Sequence, residues 1–168
     1  MTFNKNGIII QLKVTVEGGF FMKQQKIANW LKGIVVFLAF LGIVYGVEIS
    51  FLPMYMAYSH IFHWWMLLFC YIILFLFWNV CTQIGKGNSF SLENATAFHQ
   101  IGLCGGAIVL GFVAEFAWVC IKNCFSIPLL IFIGFKIAAF IIFIILCEAL
   151  SKLIFHAYEI RQENELTI

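Results

Sequence analysis

Three ionisable side chains stand inside otherwise apolar runs of this 168-residue chain: Glu48, Glu115 and Lys136. A charge at the centre of a hydrocarbon layer costs about 2.5–3.5 kcal/mol even on the gentler insertion scale, so each demands a partner or water. Counting 1.5 Å per residue along helices that cross in alternate directions puts Glu48 ~9 Å, Glu115 ~6 Å and Lys136 ~3 Å to one side of the midplane. Three helices thus deliver charge to one layer. The expected arrangement has Lys136 facing Glu115, Glu48 close by, and Tyr45 one turn below Glu48. Two readings fit this intramembrane polar cluster. It is a small cavity that binds an ion or polar ligand, or it is a buried pair that fixes helix register. Two acids against one base leave one carboxylate uncompensated.

Other residue types with chemical potential are poorly arranged for it. His60 and His63 fall in the segment after the first apolar run, His99 opens the third, and His156 lies in the tail. None sits at mid-membrane on facing helices, as a bundle haem requires, and His60-x-x-His63 alone is a weak metal pair. The six Cys stand at 70, 81, 104, 120, 124 and 147, with Cys120-x-x-x-Cys124 the closest spacing. That pattern supports neither thioredoxin-like nor metal chemistry. No P-loop, nucleotide fingerprint, HExxH or serine-nucleophile motif occurs. The chain reads as non-enzymatic, with no cofactor and no metal. A quinone-linked thiol oxidoreductase is the enzymatic reading that the missing CxxC disfavours.

The elements that must position these residues are legible from composition. Hydrophobic residues make up 63% of the chain and charged ones 11%, with a mean hydropathy of +1.00. A soluble domain carries about 25% charged residues. Four apolar runs, at about 31–52, 64–84, 101–121 and 127–149, each approach the ~20 residues that cross a hydrocarbon core as a helix. Transmembrane strands would show alternating segments of roughly 10 residues, and none appear. The fold class is all-α: an integral membrane four-helix bundle, with the lipid bilayer as its first partner. Gly42-x-x-x-Gly46 in the first run, and Gly102-x-x-x-Gly106 with Gly111 in the third, offer small-residue faces for close helix contact. Such faces also permit a homo-oligomer.

Residues 1–21 differ from the rest. They alternate weakly and end in Gly18-Gly19 just before a second methionine, Met22, after which MKQQKIANWLKG reads as an ordinary lead-in to a span. Purine-rich codons for Glu17-Gly18-Gly19 would resemble a ribosome-binding site. Residues 1–21 are therefore read as a start-site artefact or disordered leader, and 22–168 as one four-span membrane domain. Mass spectrometry of the native protein is expected to find Met22 as the first residue; a peptide from 13–21 would remove this reading.

Orientation is set by the basic residues near the spans. Lys23, Lys26, Lys32, Lys86, Lys152 and Arg161 fall on one side, against Lys122 on the other. The excess marks the cytoplasmic side, giving N-in/C-in topology in a cytoplasmic (plasma) membrane. A net charge of +2 is too small to argue for direct nucleic-acid binding. Between the second and third runs, Gly85, Gly87 and Asn88 form turns. Ser91 predicts an N-cap with Glu93 in the first turn, so the third helix starts before the bilayer. After the fourth run, Leu150, Leu153, Ile154, Ala157 and Ile160 keep helical spacing. A continuous helix to about Glu163 would be ~55 Å long against ~30 Å of hydrocarbon, so the last helix extends into the cytoplasm.

Two cytoplasmic stretches carry a family resemblance. GNSFSLENATAFHQIG, residues 87–102, resembles the "G-N-P-F-x-x-E-N…L…I-G" segment of the domain of unknown function 2975 family. The closing LSKLIFHAYEIRQENELTI resembles that family's ending, "E-N-D-L-T-I/V", and MKQQKIANWLKGIVVF is a similar start. The resemblance spans residues 22–168, with serine at Ser89 where proline is usual and glutamate at Glu165 where aspartate is usual. It implies a small four-span bacterial membrane protein whose genes often neighbour one for a helix-turn-helix regulator. Such a neighbourhood implies a sensor or anchor whose partner is a cytoplasmic transcription regulator. Asn88, Phe90, Glu93, Asn94, Glu163, Asn164, Leu166 and Thr167 would then form one cytoplasmic surface, or the two motifs would clasp each other beneath the bundle. The alternative is a small transporter, ion-binding or immunity-type membrane protein that uses the Glu/Lys cluster.

Overall fold

The structure, a computed structural model, describes residues 5–51, 57–122 and 127–166. They form four helices: α1 (Lys5–Ser50), α2 (Ala57–Gly85), α3 (Leu92–Ile121) and α4 (Ile127–Leu166). Within them Met22–Ser50, His60–Gly85, Leu92–Ile121 and Ile127–Asn164 are long and apolar enough to cross a membrane. Helix α2 starts well before the apolar run that announces it. His60 and His63, expected in a loop, stand in its early turns, because no Gly or Pro interrupts the chain between Pro53 and Gly85. Helix α4 is unbroken, as the spacing of its tail predicts. Pro128 falls in its first turn, where a missing N–H costs no helical hydrogen bond.

Successive helices pack on one another with crossed numbering. Gly85 lies against Ala28 and Gly46 against Leu67, so α1 and α2 are antiparallel. The Phe77–Phe98 ring contact and the Trp65–Ala107 hydrogen bond make α2 and α3 antiparallel. Ser151–Ala95 and Lys136–Glu115 do the same for α3 and α4. The α2–α3 loop, the lysines that begin the span of α1 and the tail of α4 therefore share one end.

Close approach is achieved by glycine, but against aromatic side chains as well as other helices. The Tyr71 hydroxyl of α2 donates to the Ala39 carbonyl of α1 at 2.8 Å, and a Cβ on Gly42 would stand 3.0 Å from that oxygen. Trp65 Nε1 donates to the Ala107 carbonyl of α3 at 3.0 Å, and a Cβ on Gly111 would stand 2.8 Å from its ring. Each aromatic lodges in a notch beside a glycine and satisfies its own polar atom on the neighbouring backbone. On the α4 side, Gly102 faces Cys147 and Gly105 faces Ile144, whereas a Cβ on Gly106 would meet nothing. The face expected from Gly102-x-x-x-Gly106 is thus carried by Gly102 and Gly105. One residue turns a helix by about 100°, which swings Gly106 off the contact line.

The core is a stripe on α3, where Ile101, Ile108, Phe112, Glu115 and Val119 are buried, closed by Val80, Ile133 and Cys147 from its neighbours. Outward positions carry large apolar groups such as Phe37, Phe75 and Phe135, a surface suited to lipid. Among the described residues no Cα of α1 comes within 8 Å of one in α4. Between them, over α2, lies an apolar cleft of about 570 Å³ bordered by Leu41, Tyr45, Cys70, Phe140 and Phe143.

Candidate functional site

The buried stripe of α3 presents Glu115 to α4, with a relative exposure of 8%. Lys136 comes from α4 one turn above Phe140 and three residues after Ile133, which is fully buried. Its Nζ lies 3.5 Å from Glu115 Oε2, 4.6 Å from the Phe112 ring centroid and 5.0 Å from that of Phe132. An ammonium over an aromatic face gains ~0.5–2 kcal/mol as it loses water, so both rings act with the carboxylate. The result is a neutral unit whose partners all belong to this chain.

The other members of the polar cluster sit differently. The ring of Tyr45, on α1, lies 6.2 Å from that of His63, and the residue borders the apolar cleft. Glu48 is exposed, and among the described residues no hydrogen bond or ion pair joins it to another side chain. Helix rotation is the reason: the next residue, Ile49, is buried, and one residue turns the side chain by about 100°. The structure therefore brings Lys136 and Glu115 together, sets Tyr45 on the wall of the apolar cleft and leaves Glu48 exposed.

The loop end holds the second constellation. Gly87 adopts φ 82°, a left-handed conformation that glycine supplies without steric cost. Ser91 caps α3, its Oγ accepting from the Asn94 N–H at 3.2 Å. Asn94 is 1% exposed, and its Nδ2 donates to the carbonyls of Asn88 at 3.1 Å and Ser89 at 3.0 Å. Asn94 thus ties the loop from inside. Asn88, Phe90 and Glu93 are exposed, and Gln83 Nε2 donates to the Glu93 carboxylate. A cavity of about 380 Å³ runs up from this point between α2 and α3, with Asn79, Gln83, Lys86, Glu93 and Gln100 on its walls.

Contacts that sequence reasoning missed fasten α3 to α4 at the same end. Ser151 Oγ donates to the Ala95 carbonyl at 2.7 Å, and His99 Nδ1 lies 2.9 Å from Glu148 Oε2. Lys152 Nζ approaches Glu148 Oε1 at 3.7 Å. The Glu148/Lys152 spacing is readable as a pair on one helix, but nothing in it points to His99. Phe155 and His156 still line a shallow groove shared with α3. Glu163 and Asn164 are exposed and lie about 10 Å farther along the helix axis. Leu166 is the last residue of α4, and Thr167 lies outside the described residues. The end of α4 thus runs past the loop surface.

The model of a family described as "Protein of unknown function (DUF2975)" matches residues 51–168, and the chain belongs to that family. No curated protein and no solved structure matches the chain significantly.

Proposed function

We propose that this DUF2975 member is a non-enzymatic, multi-pass protein of the bacterial cytoplasmic membrane, serving as a sensor or anchor for a cytoplasmic helix-turn-helix regulator. The observation that carries the reading is the length and exposure of α4. Its 40 residues span about 60 Å, twice the hydrocarbon thickness. Past the fastening at Ser151, Leu153 is 65% and Ile160 60% exposed, interspersed with Glu159, Arg161, Glu163 and Asn164. A solvated helix end has no need of an apolar stripe, whereas a helix that docks against another protein does. The end that carries it also carries Lys23, Lys26, Lys32 and Lys86, the excess that marks the cytoplasmic side. A helix-turn-helix domain offers helical surfaces for such docking, and the nucleic acid is contacted by that partner.

Affinity capture from native membranes tests this directly, comparing the full chain with one that lacks residues 164–168. A DNA-binding protein is expected to copurify with the full chain alone, and expression of its target genes to change on truncation while the bundle stays folded. Equal capture by both chains would sink the reading.

A second reading, a transporter, ion-binding or immunity-type protein, draws on Tyr45. It borders the apolar cleft between α1 and α4. Against it stands the internally satisfied Lys136–Glu115 unit, which offers no vacant charge to a moving ion. Flux or protection abolished by Glu115→Gln would reverse that preference.

A further inference from the structure

The cavity between α2 and α3 has a composition that neither the exposed stripe of α4 nor the Lys136–Glu115 unit uses. Lys86 stands at its α2 side and Glu93 at its α3 side, with Gln83 between them, and the carboxamides of Asn79 and Gln100 lie deeper, below the apolar Leu76. Gln83 occupies Glu93 Oε2, which leaves Oε1 open. Among the described residues the side chains of Lys86, Asn79 and Gln100 have no hydrogen-bond partner.

Depth makes those vacancies matter. Asn79 lies six residues, about 9 Å, above Gly85, and Gln100 eight residues, about 12 Å, above Leu92. In a membrane this is where the headgroup layer gives way to hydrocarbon. A polar group at that level without a partner is costly, so an occupant that is polar at the mouth and apolar above satisfies the site.

We infer that this cavity binds the headgroup of an amino-phospholipid of the cytoplasmic leaflet, a phosphoethanolamine zwitterion joined to acyl chains. One cation and one carboxylate on opposite walls match a ligand with one phosphate and one ammonium. Lying across the mouth, the headgroup meets Lys86 with its phosphate and Glu93 with its ammonium. The Asn79 and Gln100 amides donate to phosphate or ester oxygens. A primary ammonium donates three hydrogen bonds, as lysine does, whereas the quaternary ammonium of a choline lipid donates none. A glycerol headgroup brings the phosphate but no cation for Glu93. Leu76 at the inner end then meets the start of the acyl chains.

The test uses the purified full chain in detergent, incubated with phosphatidylethanolamine, phosphatidylglycerol, phosphatidylcholine or soluble phosphoethanolamine, with bound lipid counted by native mass spectrometry. Phosphatidylethanolamine is expected to be retained about tenfold better than the other two lipids, the weight of one charge-assisted hydrogen bond. Glu93→Gln should abolish that preference, Lys86→Met should lower retention of all three lipids, and Lys152→Met, outside the cavity, should change neither. Gln100→Leu provides a reading independent of the α3 cap, with retention lowered for all three lipids. Equal retention of the three lipids by the native chain, or a preference that survives Glu93→Gln, overturns the inference. Binding of soluble phosphoethanolamine as tight as that of the lipid overturns the membrane source. The site is independent of the α4 tail: the chain lacking residues 164–168 should keep the lipid preference whether or not it captures a regulator.

Discussion

Replacing Glu115 with Leu is expected to destabilise the protein by about 3 kcal/mol, the cost of leaving one partner of a buried ion pair behind. The ammonium of Lys136 would then keep only the rings of Phe112 and Phe132, at 4.6 and 5.0 Å. Those contacts are worth ~0.5–2 kcal/mol together with desolvation and do not supply a counter-charge. The double variant Glu115→Leu with Lys136→Met removes both charges from a site already walled by aromatics. It should recover most of the loss, because a buried pair replaced whole by apolar groups is often neutral. Unfolding of the two single variants and the double in detergent closes the cycle. Additive losses would mean that the two residues do not stabilise each other. Replacing Glu48 with Gln, by contrast, should cost little, since its side chain is exposed and the pair forms without it.

Asn94→Leu is expected to cost about 2–3 kcal/mol for a different reason. The side chain is not charged and touches no other membrane-length helix through a hydrogen bond, yet it donates to two loop carbonyls at 3.1 and 3.0 Å. Leucine has similar bulk but no donor, and each acceptor left without one loses ~1–3 kcal/mol if water cannot reach it. The visible consequence is local. Amide hydrogen exchange across residues 86–91 should quicken by more than exchange in α3 itself, because the Ser91 cap on the Asn94 backbone N–H survives the substitution. Asn94→Asp, which keeps the shape but turns the donor into an acceptor, should behave like leucine. Unchanged exchange in both variants would remove Asn94 from its role in fixing the loop.

Much of the architecture could be read from residue order because it depends on local quantities. Ser91 caps α3 through its own hydroxyl and an N–H three residues on, so the helix start is written within a few residues. The unbroken α4 rests on the same kind of signal: apolar spacing that continues past Ala149 without Gly or Pro. The extra turns at the start of α2 were legible too, in the missing breakers after Pro53, but the aromatic, Met-rich segment there looks like a loop by hydropathy alone. Gly106 misled for the opposite reason. A glycine spacing identifies a helix face only if the neighbour lies on that face, and here it lies on the Gly102–Gly105 line.

By itself, then, the sequence determined how many apolar helices there are, which ends share a side, and the height of each charge along its helix. Those properties accumulate in steps of 1.5 Å per residue and need no knowledge of neighbours. The tertiary structure decided azimuth. It turned Glu115 onto Lys136 and Glu48 outward, and set Tyr71 and Trp65 into glycine notches on either side of α2. It also buried Asn94 under its own loop and placed His99 against Glu148. At about 100° per residue, a side chain's direction is meaningful only relative to the helix packed beside it. Side-chain packing between helices fixes that rotation, and no stretch of one helix encodes it alone.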